Sequence, residues 1–197
     1  MTEADEDIVR SVLAPYETKL FQAMHGAWED WKALGLAGRL LFLGRSRACL
    51  VHDFIVQRAI AAFTGDAAVR TIRRDETAKF VFAGQVALRF KKADDNGLGS
   101  NIKTEATLDF VEQQQELPGI PNVHKIEVVY ILNRLQTQIE RVVVVARDGD
   151  VRLWNYVIAP ATTAEIVPLP VAKPEPERGA RIRIRGGNKN QKKETGE

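Results

Sequence analysis

The sequence predicts an α+β fold in which two N-terminal helices pack on a mainly antiparallel sheet of about six strands, followed by a disordered basic tail. Three observations carry this expectation. Apolar residues recur at three- and four-residue spacing up to Phe63, and at two-residue spacing from Val69 onward. Asp148-Gly149 separates two alternating runs, as a tight hairpin turn does. Beyond Pro160, prolines at 168, 170, 174 and 176 favour an extended linker over a helix or a central strand.

Residues 1–14 form an acidic lead-in that opens Met1-Thr2-Glu3-Ala4-Asp5-Glu6-Asp7. Pro15 suits the first turn of a helix, and Tyr16, Leu20, Met24, Ala27 and Trp31 then form one stripe, so a helix is expected to run to about Leu34. Gly35 and Gly38 break it. A second helix over 46–63 carries Val51, Ile55, Ala59 and Ala62 on one side, and Thr64-Gly65 stops it. Such an aromatic and methionine stripe is packing rather than a cofactor box.

Strands are expected at 69–74, 78–83 and 86–92. A two-residue loop at Gly84-Gln85 would place Phe80 and Phe82 beside Arg89 and Lys91. A three-residue loop groups them instead with Val86, Leu88 and Phe90 and leaves Lys79, Arg89 and Lys91 on a basic outer face. The second register is preferred because it separates apolar from charged side chains. Residues 93–101 read as a loop, 103–116 as a short helix and 117–121 as a rigid turn; strands at 124–133, 138–146 and 151–158 follow. The Arg-Ile-Arg-Ile-Arg alternation at 181–185 suits one edge strand.

If Asp148-Gly149 is a type I′ loop, Ala146 faces Val151 and Val144 faces Leu153 on the core side. The opposite face then displays Arg141, Val143 and Val145 beside Arg152, Trp154 and Tyr156. Rings alternating with guanidinium groups can stack on and neutralise nucleic acid, although the commoner use of such a face is structural.

A chain of 197 residues with 45% hydrophobic residues can bury a full core, which fits one domain over 15–160. No apolar run approaches the ~18 residues of a membrane span, and the acidic start is unlike a secretory signal. A cytoplasmic protein without membrane contact is expected. Cys49, the only cysteine, is expected to be a small buried hydrophobe, and three histidines without zinc-ligand spacing imply neither metal nor cofactor. The net charge of +2 is uneven: 171–197 carry eight Lys/Arg against four Glu, leaving 20 basic and 22 acidic residues before them. Such a tail can hold phosphates through counterion release, though a solvated end is the simpler use.

Two sets of residues invite a catalytic reading. Arg47 and His52 match the loose Arg-x4-His pattern of the helical ribonucleases of the HEPN superfamily, with Asp53 adjacent. Five residues of helix rotate through about 500°, so Arg47 and His52 point about 140° apart and form no compact site within one chain. Arg89, Lys91 and Lys92 near Asp94 and Asp95 resemble the acidic-and-lysine sets of metal-dependent nucleases, but Arg89 stands where a carboxylate is needed. No phosphate-binding glycine loop or nucleophile elbow is present.

Four blocks carry a resemblance: 51–59 (Val51-His52-Asp53-Phe54 and onward), Leu88-Arg89-Phe90-Lys91-Lys92, Leu117-Pro118-Gly119-Ile120-Pro121 and Leu153-Trp154-Asn155-Tyr156. Together they resemble an uncharacterised family of small bacterial proteins encoded beside a helix-turn-helix regulator with a zinc-peptidase domain. That arrangement is similar to toxin–antitoxin pairs of the Rosmer type. The resemblance implies a toxin-like component bound by its cognate antitoxin regulator. The alternative is a non-enzymatic nucleic-acid-binding module that uses the sheet face, so that partner or nucleic-acid contacts are expected at Arg89, Lys91, Lys92, Arg141, Arg152, Trp154 and Tyr156, and at the basic tail; a ribonuclease using Arg47 and His52 is the third reading.

Overall fold

The computed structural model describes residues 4–74, 77–94, 96–100, 108, 110–113 and 122–159. All of them belong to the first of two units into which the chain divides, Met1–Thr162. The turn expected at 117–121 and everything from 160 onward, including the basic tail and the 181–185 alternation, lie outside the described residues.

The lead-in contains a helix that its acidity conceals. Helix α1 (Glu6–Leu13) starts at Asp5, whose carboxylate accepts the Ile8 N–H at 3.1 Å, with Glu6 and Asp7 favourably placed in the first turn. Val9 and Leu13, one turn apart, are fully buried in the main core. Residues 4–14 thus pack with the rest of the fold instead of standing apart as a lead-in. A 3-10 turn over Ala14–Tyr16, with Pro15 at its start, leads into α2 (Glu17–Ala33), which buries Leu20, Ala23, Met24, Ala27, Trp28 and Trp31. Gly35, at φ +71°, ends it and begins the short helix α3 (Gly35–Arg39).

Helix α4 (Gly44–Phe63) turns Val51, Ile55, Ala59 and Phe63 inward and stops at Thr64, whose hydroxyl donates to Ile60 O at 2.7 Å. It lies close against α2 at Gly26, where an added Cβ would collide with the Arg58 guanidinium. Arg58 instead makes a two-pronged pair with Asp30 at 2.5 and 2.7 Å.

The sheet runs β1 (Val69–Arg74), β2 (Thr77–Phe82), β3 (Val86–Lys92), β4 (His124–Leu132), β5 (Ile139–Asp148) and β6 (Val151–Ile158), with strands neighbouring in chain order. Every pair is antiparallel except β3 and β4, which are parallel. Residues 93–123 make that connection. The β2–β3 loop is the three-residue one, Ala83-Gly84-Gln85, and pairs Phe82 with Val86 and Phe80 with Leu88. Phe80, Phe82, Leu88, Phe90, Ile126, Val128, Tyr130, Val142 and Val144 thus face the helices and form the main core with them.

The β5–β6 hairpin differs from the expected one. Its two-residue loop is Gly149-Asp150, with Gly149 at φ +55°, so Asp148 pairs with Val151 and Arg147 with Arg152. That shift alone would preserve the expected faces. A bulge then leaves Leu153 unpaired, so Ala146 meets Trp154 and Val144 meets Tyr156, and both rings pass to the helix side.

Candidate interaction surface

The outer face of the sheet, expected to be open and basic, is closed by the connection between β3 and β4. Leu98 packs on Val129, Val143 and Val145, and Phe110 on Val81 and Ala87. Leu108, Phe110 and Val111 are helical, within the region expected to be a short helix. Arg89 sits 4.3 Å from the Phe110 ring centre and donates to Glu127 Oε1 through Nη2 at 2.6 Å. Glu127, 1% exposed, also takes the Gly99 N–H at 3.1 Å and lies 3.6 Å from Arg147. Arg147 in turn holds the Gly149 carbonyl at 2.6 Å and the Asp150 carboxylate at 3.0 Å, which explains the placement of the hairpin loop. One buried carboxylate therefore ties β3, β4, β5 and the covering loop together. Burial lowers the Arg89 pKa and Glu127 opposes that shift, yet a guanidinium keeps its charge.

The same cover is fastened at its far end. The Gln113 amide donates to the Lys125 and Arg147 carbonyls at 2.9 and 2.8 Å, and its own N–H to Asp148 at 3.0 Å. Lys125, 2% exposed, donates to the Glu112 carbonyl. Arg89, and the partners Glu127 and Arg147 that the sequence did not suggest, are thus fully engaged inside the molecule.

The expected ring-and-guanidinium face does not form. Tyr156 is buried and lies 3.8 Å from the Arg10 guanidinium of α1, while Trp154 stacks on Tyr156 and donates to the Ala4 carbonyl. Arg141 is half-exposed beside Glu140, and Arg152 holds the Asn96 carbonyl at 3.3 Å on the opposite side of the sheet from the rings. The bulge at Leu153 separates the two sets.

Arg47, His52 and Asp53 all lie on α4. Arg47 donates to the Gln136 side chain in the β4–β5 turn, and no hydrogen bond or ion pair joins it to His52 among the described residues. His52 Nδ1 is 3.6 Å from the Asp53 carboxylate, a loose contact between adjacent residues. Burial lowers the His52 pKa, with the Lys91 ammonium adding to the effect; burial and then Arg89 lower Lys91 in turn. Lys92 is half-buried at the end of β3. Asp94 turns its carboxylate onto the Asn96 and Leu98 N–H groups, closing its own loop. No group of three or more metal-ligating side chains occurs among the described residues.

A different region is open. Leu34, Leu36, Leu40, Leu41, Phe42 and Leu43, in the connector from α2 to α4, are 42–83% exposed. Phe42 meets the Trp31 ring edge-on, 5.7 Å between ring centres. Six large apolar residues this exposed within ten positions are more than the singly scattered ones of an ordinary surface. Beside them Phe42, Arg45, Ser46, Cys49, Leu50 and Asp53 line an open groove of about 360 Å³. Cys49, expected to be buried, is exposed and lines this groove.

Sequence reasoning passed over this connector. Its signal is Leu40-Leu41-Phe42-Leu43, four consecutive apolar residues between glycines 38 and 44, which neither helical nor strand periodicity can bury on one face. No protein-family model, curated protein or solved structure matches the chain. No helix among the described residues is long and apolar enough to cross a membrane.

Proposed function

We propose that this chain is the toxin-like component of a bacterial toxin–antitoxin or phage-defence module, bound and neutralised by a regulator encoded next to it. The genetic part of that reading rests on the sequence resemblance. The observation that supports protein binding is the exposed apolar connector over 34–43. Nucleic-acid recognition by the sheet has less support, because Trp154 and Tyr156 lie beneath α1 and Arg89 is paired with Glu127.

Induction of the untagged protein tests this reading. Growth arrest is expected, with recovery when the adjacent gene is co-expressed and a stable complex of the two products. A Leu41→Asp substitution should weaken the complex and let arrest persist despite the neighbour. Unaffected growth, or full rescue of the Leu41→Asp variant, would contradict it.

A further inference from the structure

We propose that the connector docks the free chain on an anionic membrane surface, and that the regulator covers the same leucines when it neutralises the chain. The second half rests on the toxin reading above; the first stands on the connector alone.

Leu40, Leu41 and Leu43 are 76, 83 and 79% exposed within four consecutive residues, between glycines 38 and 44. A side chain that exposed rests on little of its own molecule, and neighbours in such a run share no single face. A protein partner would need a separate recess for each leucine. Fluid acyl chains surround a protruding apolar loop from every side, so they cover such a run without being shaped to it.

Charge points to the same occupant. Residues 31–52 contain Lys32, Arg39, Arg45 and Arg47 and no carboxylate. Lys32 is paired with Glu29 and Arg47 with Gln136, whereas Arg39 reaches only the Gly35 carbonyl at 3.3 Å, and neither Arg39 nor Arg45 makes an ion pair among the described residues. These two arginines bracket the apolar run directly. The first turn of α4, which begins at Gly44, holds no carboxylate, so the positive end of that helix adds to the same potential. Of the flanking carboxylates, Asp30 is held by Arg58 at 2.5 Å, and Asp53 stands about two helical turns beyond Arg45. An apolar tip with a cationic collar suits a loop that enters the lipid interface, leucines among the acyl chains and guanidinium groups at the phosphates. A second copy docked about a two-fold axis would instead set the arginines against their own counterparts. The contact is one-sided, since no helix among the described residues can cross the bilayer.

The test is co-sedimentation of the full-length protein with vesicles of phosphatidylcholine, and of equal parts phosphatidylcholine and phosphatidylglycerol. Binding to the mixed vesicles should be about tenfold or more the tighter, and Arg39→Gln/Arg45→Gln should lower it by about tenfold. Leu41→Asp/Leu43→Asp should also lower it by about tenfold or more, with an unchanged circular dichroism spectrum. Both variants keep the basic tail, so undiminished binding by either would assign the attraction to that tail and overturn the proposal. Equal binding to both kinds of vesicle, or none to the mixed ones, overturns it too. Self-association without lipid that Leu41→Asp abolishes would give the connector to a second copy instead. The complex with the regulator should stay in the supernatant, and its sedimentation with mixed vesicles would overturn the shared surface. Growth arrest is read separately: its absence removes the toxin reading and leaves lipid docking standing, while loss of vesicle binding removes the docking and leaves arrest and rescue standing.

Discussion

The covered face of the sheet and the α2–α4 connector reverse the usual distribution of polarity, in opposite senses. Beneath the cover, Arg89, Glu127, Arg147 and Lys125 are charged groups inside the molecule, each hydrogen-bonded or ion-paired. In the connector, Leu36, Leu40, Leu41 and Leu43 are apolar groups outside it and lack any comparable packing. Charge buried with partners makes structure: it fixes where the loop, the hairpin and three strands meet. Apolar surface left in water adds nothing to the stability of an isolated chain, and its burial free energy is gained only when something covers it. The region that resembles a binding site by composition is thus structural, and the region that resembles core lies open at the surface.

That contrast can be broken most forcefully at Glu127. A Glu127→Ala variant removes the buried carboxylate shared by Arg89 and Arg147, although Arg147 keeps Asp150, and should lose about 3–5 kcal/mol of stability in urea denaturation. A loss under 1 kcal/mol would mean the cluster is solvated and the cover loose. Gly99→Ala is expected to cost less, about 1–3 kcal/mol, because its Cβ would meet the Glu127 carboxylate and force the loop off the sheet.

A smaller effect concerns pH. His25 and His52 both have pKa values lowered by burial from the ordinary 6.5. The unfolded chain therefore takes up these protons first, so the stability they contribute is complete above about pH 6.5 and is lost as the pH falls below it. Titration by NMR should place His52 under its ordinary value, and Lys91→Met should move it upward without reaching 6.5, since burial is the larger cause. No change in the Lys91 variant would show that the two side chains do not sense each other.

Much of the architecture was legible because the two faces of its strands differ. In β2 and β3 the alternation of Phe80, Phe82, Leu88 and Phe90 with Lys79, Arg89 and Lys91 admits one register, and the three-residue loop follows. In β5 the run Val142-Val143-Val144-Val145 is equally apolar on both sides, so nothing in it reveals that the bulge at Leu153 exchanges the faces of β6. Helix α1 was hidden for a related reason: its buried stripe is only Val9 and Leu13 among acidic neighbours.

The clamp was illegible because Arg89, Glu127 and Arg147 are remote in sequence and meet only through the parallel pairing of β3 with β4. Of the candidate residues, Arg89 was expected on a basic outer face, but its charge is directed inward to Glu127. The exposed connector could be read only as a run that no regular element buries.

Thermal unfolding of a Leu41→Asp/Leu43→Asp variant beside the parent protein tests most directly whether the connector is unpartnered in the free chain. The midpoint should stay within about 2 °C, as expected when substitutions remove no packed contact. A fall of about 6 °C or more, corresponding to roughly 2 kcal/mol or above in a chain of this size, would show that these leucines belong to the core and would contradict the assignment of this surface to a partner.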